Sequence, residues 1–85
     1  MPAIIRVGDP GSHGGAVTTG SPDTTANGLA VARVGDTYDC PIHGPNLITT
    51  GSPDTTANGR AVARVGDQTG CGATLQGGSP DVEVN

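Results

Sequence analysis

Residues 18–36 read TTGSPDTTANGLAVARVGD, and residues 49–67 read TTGSPDTTANGRAVARVGD. The 19 positions recur with one change, Leu29 against Arg60. Self-similarity of this kind fixes the architecture before any local assignment, because each copy is one unit that buries its apolar face against its neighbours. A worn third copy runs from Gln76 to Asn85. Its punctuation survives: Gly20-Ser21-Pro22-Asp23 and Gly51-Ser52-Pro53-Asp54 are answered by Gly78-Ser79-Pro80-Asp81.

A second landmark completes the alignment. Arg6-Val7-Gly8-Asp9, Arg33-Val34-Gly35-Asp36 and Arg64-Val65-Gly66-Asp67 are the same phrase three times. Between the landmarks stand Asn27-Gly28 and Asn58-Gly59. Asn-Gly is the strongest short hairpin signal, since both turn positions want a positive φ. Ala30–Val34 and Ala61–Val65 then read as return strands. The third copy stops at Asn85, where its turn should begin, and its return strand is missing from that end. The missing piece is at the N-terminus, where Ala3–Asp9 aligns with Ala30–Asp36. The expected fold is therefore all-β: three hairpin repeats in pseudo-threefold symmetry, with the N-terminal strand pairing with Asp81–Val84 to close the ring. No window shows the 3.6-residue apolar spacing of a helix. A small body of that symmetry suits one role in particular, capping a partner that is itself trimeric.

Composition narrows the function classes. The 85 residues hold no Phe and no Trp, and Tyr38 is the sole aromatic. One small domain with a thin apolar interior is expected, of the kind that often relies on disulfides, metal or partners. Gly and Pro make up 22 of 85 residues, a level at which low complexity is the first suspicion. Val and Ile at strand spacing and turn residues at fixed offsets argue against disorder. The net charge is −4, with four Arg and no Lys, so no basic stripe is available for nucleic acid or for an acidic membrane surface. No apolar run reaches the roughly 18 residues of a membrane span. No signal peptide is evident, which predicts a protein that matures in the cytoplasm and leaves it, if at all, by a dedicated route.

Both Cys and both His lie in the loops that join the two landmarks. His13 and Cys71 each fall four residues after the landmark Asp, and His43 falls seven after, because the second loop is three residues longer. That longer loop also supplies Cys40, at the chelating spacing Cys40-Pro41-Ile42-His43. If threefold-related loops converge on the axis, His13, Cys40, His43 and Cys71 meet. Two thiolates and two imidazoles match a closed, structural tetrahedral Zn²⁺ site. Two alternatives stand beside it: a Cys40–Cys71 disulfide, disfavoured in a reducing compartment, and surface histidines without a role. No nucleophile–base pair emerges. The Ser and Asp residues fall in turn motifs, and Asp9, Asp36 and Asp67 are placed to brace their loops with Arg6, Arg33 and Arg64. No enzyme activity is expected.

Ala-Arg-Val-Gly-Asp, then His-Gly, then Gly-Ser-Pro followed by Asn-Gly, with Pro2-Ala3 opening the chain, resembles the PAAR-repeat family over essentially all 85 residues. The resemblance implies a single domain spanning residues 1–85 without extension, shaped as a small pointed zinc-binding β cone. It implies a spike-tip protein that caps and sharpens the distal end of a trimeric VgrG-type spike in a type VI secretion system, aiding membrane puncture and effector delivery. It further implies that His13, Cys40, His43 and Cys71 hold one structural Zn²⁺ near the apex. Family members often use three His and one Cys, so Cys71 stands where a third His is usual, and the site gains negative charge and oxidation sensitivity. Such a protein is assembled in the cytoplasm and ejected with its spike, and any effector is carried non-covalently. The matched apolar triplet Val17, Ile48 and Leu75 offers itself equally as a contact surface for the spike or as interior filling. A phage tail spike tip, a free-standing zinc-binding module and a small zinc enzyme with an open coordination position are the competing identities.

Overall fold

Both Asn-Gly pairs turn the chain with left-handed backbone. In the computed structural model, which describes residues 2–84, φ is 55° and 56° at Asn27 and Asn58 and 79° and 77° at Gly28 and Gly59. Each turn joins two short antiparallel strands: β2 (Thr25–Ala26) to β3 (Leu29–Ala30), and β6 (Thr56–Ala57) to β7 (Arg60–Ala61). A three-stranded sheet in the order β1-β4-β5 is built from β1 (Ala16–Val17), β4 (Thr37–Cys40) and β5 (Gly44–Leu47). Pro45 is tolerated because β5 is an edge strand, paired only with β4. The described residues contain no helix, and the body measures 29 × 24 × 21 Å. The protein is all-β and compact.

The N-terminus pairs with the C-terminal segment as the alignment requires. Ile4 N–H donates to Val82 O at 3.0 Å, Val84 N–H donates to Pro2 O at 3.0 Å, and Ala3 bridges Glu83. Asn85, the expected turn residue of that copy, lies outside the described residues. The aligned segments then bond to one another cyclically. Ile5 donates to Ala63, Ala63 to Ala32 and Ala32 back to Ile5, each at 2.9 Å. Two residues further on a second cycle runs the other way round: Val7 donates to Ala30, Val34 to Ala61 and Val65 to Ala3, at 2.8–2.9 Å. A third set joins the loops, with Thr18 donating to Thr37, Thr49 to Gln68 and Gln76 to Pro10.

Each Arg-Val-Gly-Asp phrase folds back on itself. Asp36 accepts from the Arg33 backbone N–H and Nε at 2.8 Å and from Nη2 at 3.0 Å, and Asp9 and Asp67 repeat the clamp on Arg6 and Arg64. The Arg33 and Arg6 guanidinium groups also donate to Asn58 and Asn27 of the hairpin turns, whose amide nitrogens donate to Asp23 and Asp81. Burial pushes the Asp36 carboxyl up, but Arg33, its backbone N–H and the Thr19 hydroxyl together outweigh that and hold it below the ordinary carboxylate range. Asp67 is lowered in the same way by Arg64 and Thr50.

Successive residues of a strand face opposite ways. Ile5, Ala32 and Ala63 all point into one apolar cluster with Val17, Tyr38, Cys40, Ile48, Ala73 and Leu75. Their neighbours Ile4, Val31 and Val62 point into a second, with Ala26 and Ala57. This placement corrects the contact expectation. Val17, Ile48 and Leu75 are exposed by only 1%, 1% and 0%, so they fill the interior and offer no surface to a partner. Their backbones are tied to their own landmarks, with Gly8, Gly35 and Gly66 donating to Val17, Ile48 and Leu75. Alignment identified the matched positions, but the side to which they face depends on how the loops fold back.

Deleting residues 2–7 removes one member of every axial cycle and is expected to abolish cooperative thermal unfolding, as read by circular dichroism; a folded deletion variant contradicts ring closure. Asp36→Ala leaves the buried Arg33 guanidinium and N–H without their acceptor and is expected to cost about 3 kcal/mol. Exposed Asp39→Ala should stay within about 0.5 kcal/mol. Because the folded-state pKa values of Asp36 and Asp67 are depressed, their contribution is complete above the unfolded carboxylate value of about 4 and is lost as pH falls below it. Denaturant midpoints measured down that range check the sign.

Candidate metal centre

Three loops meet on the side of the ring that carries the first cluster. The first, residues 10–15, delivers His13. Its path is fixed by Tyr38, which is fully buried and donates its hydroxyl to the Gly14 carbonyl. Gly11 packs so closely on that ring that a Cβ there would lie 2.5 Å from the Tyr38 oxygen. Gly15, at φ 69°, would place a Cβ 1.9 Å from the Asp39 carbonyl oxygen, so only glycine lets the loop pass. The second loop is the β4–β5 hairpin, with Cys40 buried at the end of β4 and His43 exposed in the turn. The third, residues 69–73, turns through Thr69 N–H to Ala73 O and Gly72 N–H to Thr69 O, and presents a half-buried Cys71. Loops one and three are tied together by Ser12 N–H to Thr74 O and Thr74 N–H to Ser12 Oγ.

All four expected donors arrive at one place. One ligand atom from each of His13, Cys40, His43 and Cys71 lies within 4.8 Å of the other three. Cys40 Sγ is 3.6 Å from Nδ1 of His13 and 3.6 Å from Nδ1 of His43, and Cys71 Sγ is 3.9 Å from His13 Nδ1. A tetrahedral ion with sulfur at about 2.3 Å and nitrogen at about 2.0–2.1 Å has S···N edges of about 3.6 Å. The spacing therefore fits a metal ion, and the cluster could hold one. Both cysteines are free thiols rather than a disulfide. The Thr69 hydroxyl, 3.2 Å from Sγ, leads a set of partners that lowers the Cys71 thiol to about 6. At neutral pH Cys71 thus has the thiolate character that a metal ligand needs.

Two contributors escaped the sequence. In the sequence Tyr38 stands out only as the lone aromatic, yet its hydroxyl donates to the carbonyl of Gly14, next to His13. The Thr69 hydroxyl is the foremost of several partners that lower the Cys71 thiol. The visible signal for each was position alone: Tyr38 two residues before Cys40, and Thr69 two before Cys71.

His43→Asn removes one of four donors and should weaken divalent-metal binding by more than about 100-fold, beyond the range of outer partners. Tyr38→Phe, which leaves the donors intact but frees the His13 loop, should weaken it by about 10-fold. Ile42→Ala, between the ligands but 67% exposed, should not change it. Competition against a chromophoric chelator measures all three.

Comparison with curated proteins gives no match. A family model, the PAAR motif, matches residues 7–77. That span holds the four donors and all three Val-Gly-Asp turns. Covering well over half of an 85-residue chain, it shows that the protein belongs to the PAAR-motif family.

Proposed function

We propose that the protein is a non-enzymatic spike tip, capping and sharpening the distal end of a trimeric VgrG-type spike in a type VI secretion system, with one structural Zn²⁺ held by His13, Cys40, His43 and Cys71. Membership of the PAAR-motif family links the chain to type VI secretion spike tips and to association with VgrG-type spike proteins in general. The observation that carries the finer assignment is the cyclic bonding of Ile5, Ala32 and Ala63, repeated by Val7, Val34 and Val65. One chain arranged this way offers a trimer three near-equivalent edges, so a single copy can satisfy three identical subunits at once.

The ion supplies a clamp among three loops that have few large apolar side chains to hold them. In small zinc modules such a clamp supplies folding free energy on the order of 10 kcal/mol. The chain's own residues do the rest: Tyr38 and the Ser12–Thr74 pair hold the donor loops, and the Arg–Asp clamps stiffen the ring beneath them. Short bonded turns of this kind resist deformation, as a tip driven through a membrane must. The docking face is assigned to the end of the ring away from the donors, beyond the second apolar cluster, in which Ile4, Val31 and Val62 are themselves buried. The tip would be assembled on its spike in the cytoplasm, expelled with it, and aid effector delivery.

Co-expression with a VgrG-type spike protein and native mass spectrometry tests this. One chain per spike trimer is expected, and His43→Asn, away from the docking face, should keep that ratio if the variant is folded. Three chains per trimer, or no complex, contradicts the capping role.

A further inference from the structure

Cys40 and Cys71 differ in setting although both belong to the donor cluster. Cys40 is 1% exposed at the end of β4, whereas Cys71 is half-buried in a surface turn between Gly70 and Gly72. Their sulfur atoms lie within 4.8 Å of each other. Forming a disulfide needs an approach to about 2.05 Å, and the change must come from backbone that can move. On the Gly72 side, where a Cβ would meet nothing within 4 Å, the turn carrying Cys71 has open space, and its other end is tied to the second loop by Gly70 N–H to Leu47 O. Cys40 is locked into four registered pairs between β4 and β5.

We propose that Cys71 and Cys40 form a redox couple in which a peroxide converts the metal site to a Cys71–Cys40 disulfide and releases the ion. This rests on the four residues forming the metal site. The Cys71 thiolate attacks one oxygen of the peroxide, breaking the O–O bond and expelling hydroxide, and becomes a sulfenic acid. The Cys40 thiolate then attacks the Cys71 sulfur, forming the S–S bond and expelling a second hydroxide. Two electrons leave the sulfur pair and reduce one peroxide molecule. The ion loses both thiolates, is left with His13 and His43 alone, and dissociates. The cross-link replaces one tie between the second and third loops with another, so the fold survives in a compartment where thiols are not kept reduced. A third imidazole in place of Cys71 cannot do this, because only one sulfur would remain.

The test starts from purified metal-loaded protein whose ion content is measured first. Hydrogen peroxide is then added while released ion is followed with a chromophoric chelator, free thiols are titrated and peptides are mapped. Loss of both thiols in step with one ion per chain, a Cys40–Cys71 cross-linked peptide, and recovery of ion binding after dithiothreitol are expected. Cys71→His, which keeps four donors, should retain its ion under the same treatment. Cys40→Ser should accumulate a sulfenic acid on Cys71 that a dimedone-type trap captures. Retention of both thiols and the ion overturns the proposal, as does sulfinic acid or an intermolecular disulfide in place of the internal one. So does ion loss from Cys71→His as fast as from the parent. A parent protein that binds no metal before oxidant is added fails earlier, at the metal site itself.

Discussion

Everything in this fold hangs on three backbone hydrogen bonds around one axis. Ile5, Ala63 and Ala32 each give one N–H and take one from the next, and all three side chains are wholly buried on the same side. The cycle has no partial form. Removing one segment leaves a donor and an acceptor unpaired in the interior, each at a cost of about 1–3 kcal/mol. That is why the first residues of the chain must sit against the last. The Ile4–Val82 and Val84–Pro2 bonds supply that closure.

The ring divides the molecule into two sides. On one side Ile4, Val31 and Val62 form a small apolar layer. On the other, the layer beneath Ile5, Ala32 and Ala63 ends at Cys40, with Cys71 packed against it. The donor loops are not free appendages. Each leaves the ring at an Arg–Asp clamp and returns through Val17, Ile48 or Leu75, whose backbones bond to the same clamp turns. Cyclic order at the base is thereby transmitted to the loop ends, and the donors meet without a large core to force them. Where an ordinary small domain would use aromatic packing, this chain uses backbone bonding, ion pairs and a ligand cluster, with Tyr38 its one large ring.

Much of this could be read directly from residues. The Asn-Gly pairs specified their turns because few other residue pairs accept two positive φ angles. The displaced return strand was visible because Ala3–Asp9 repeats a phrase found twice later. The four donors were legible because their loops carry the only His and Cys in the chain. The orientation of Val17, Ile48 and Leu75 was not, since a matched apolar triplet looks the same facing in or out. Nor was the β4–β5 hairpin, where Pro45 reads as a loop residue until β5 proves to be an edge. The links from Asn27 to Ser79 and Asp81, and from Asn58 to Ser21 and Asp23, were hidden for another reason. They join turns to distant corners, a pairing that depends on ring closure and has no local signal.

Native-state amide hydrogen exchange on the metal-loaded protein tests the closed ring most directly. If the three segments stand or fall together, the amides of Ile5, Ala32 and Ala63 exchange only on global unfolding, with one shared free energy at the top of the protein's range. An Ile5 amide that exchanges well ahead of Ala32 and Ala63 would mean that the N-terminal segment opens by itself, and the closed threefold ring would be contradicted.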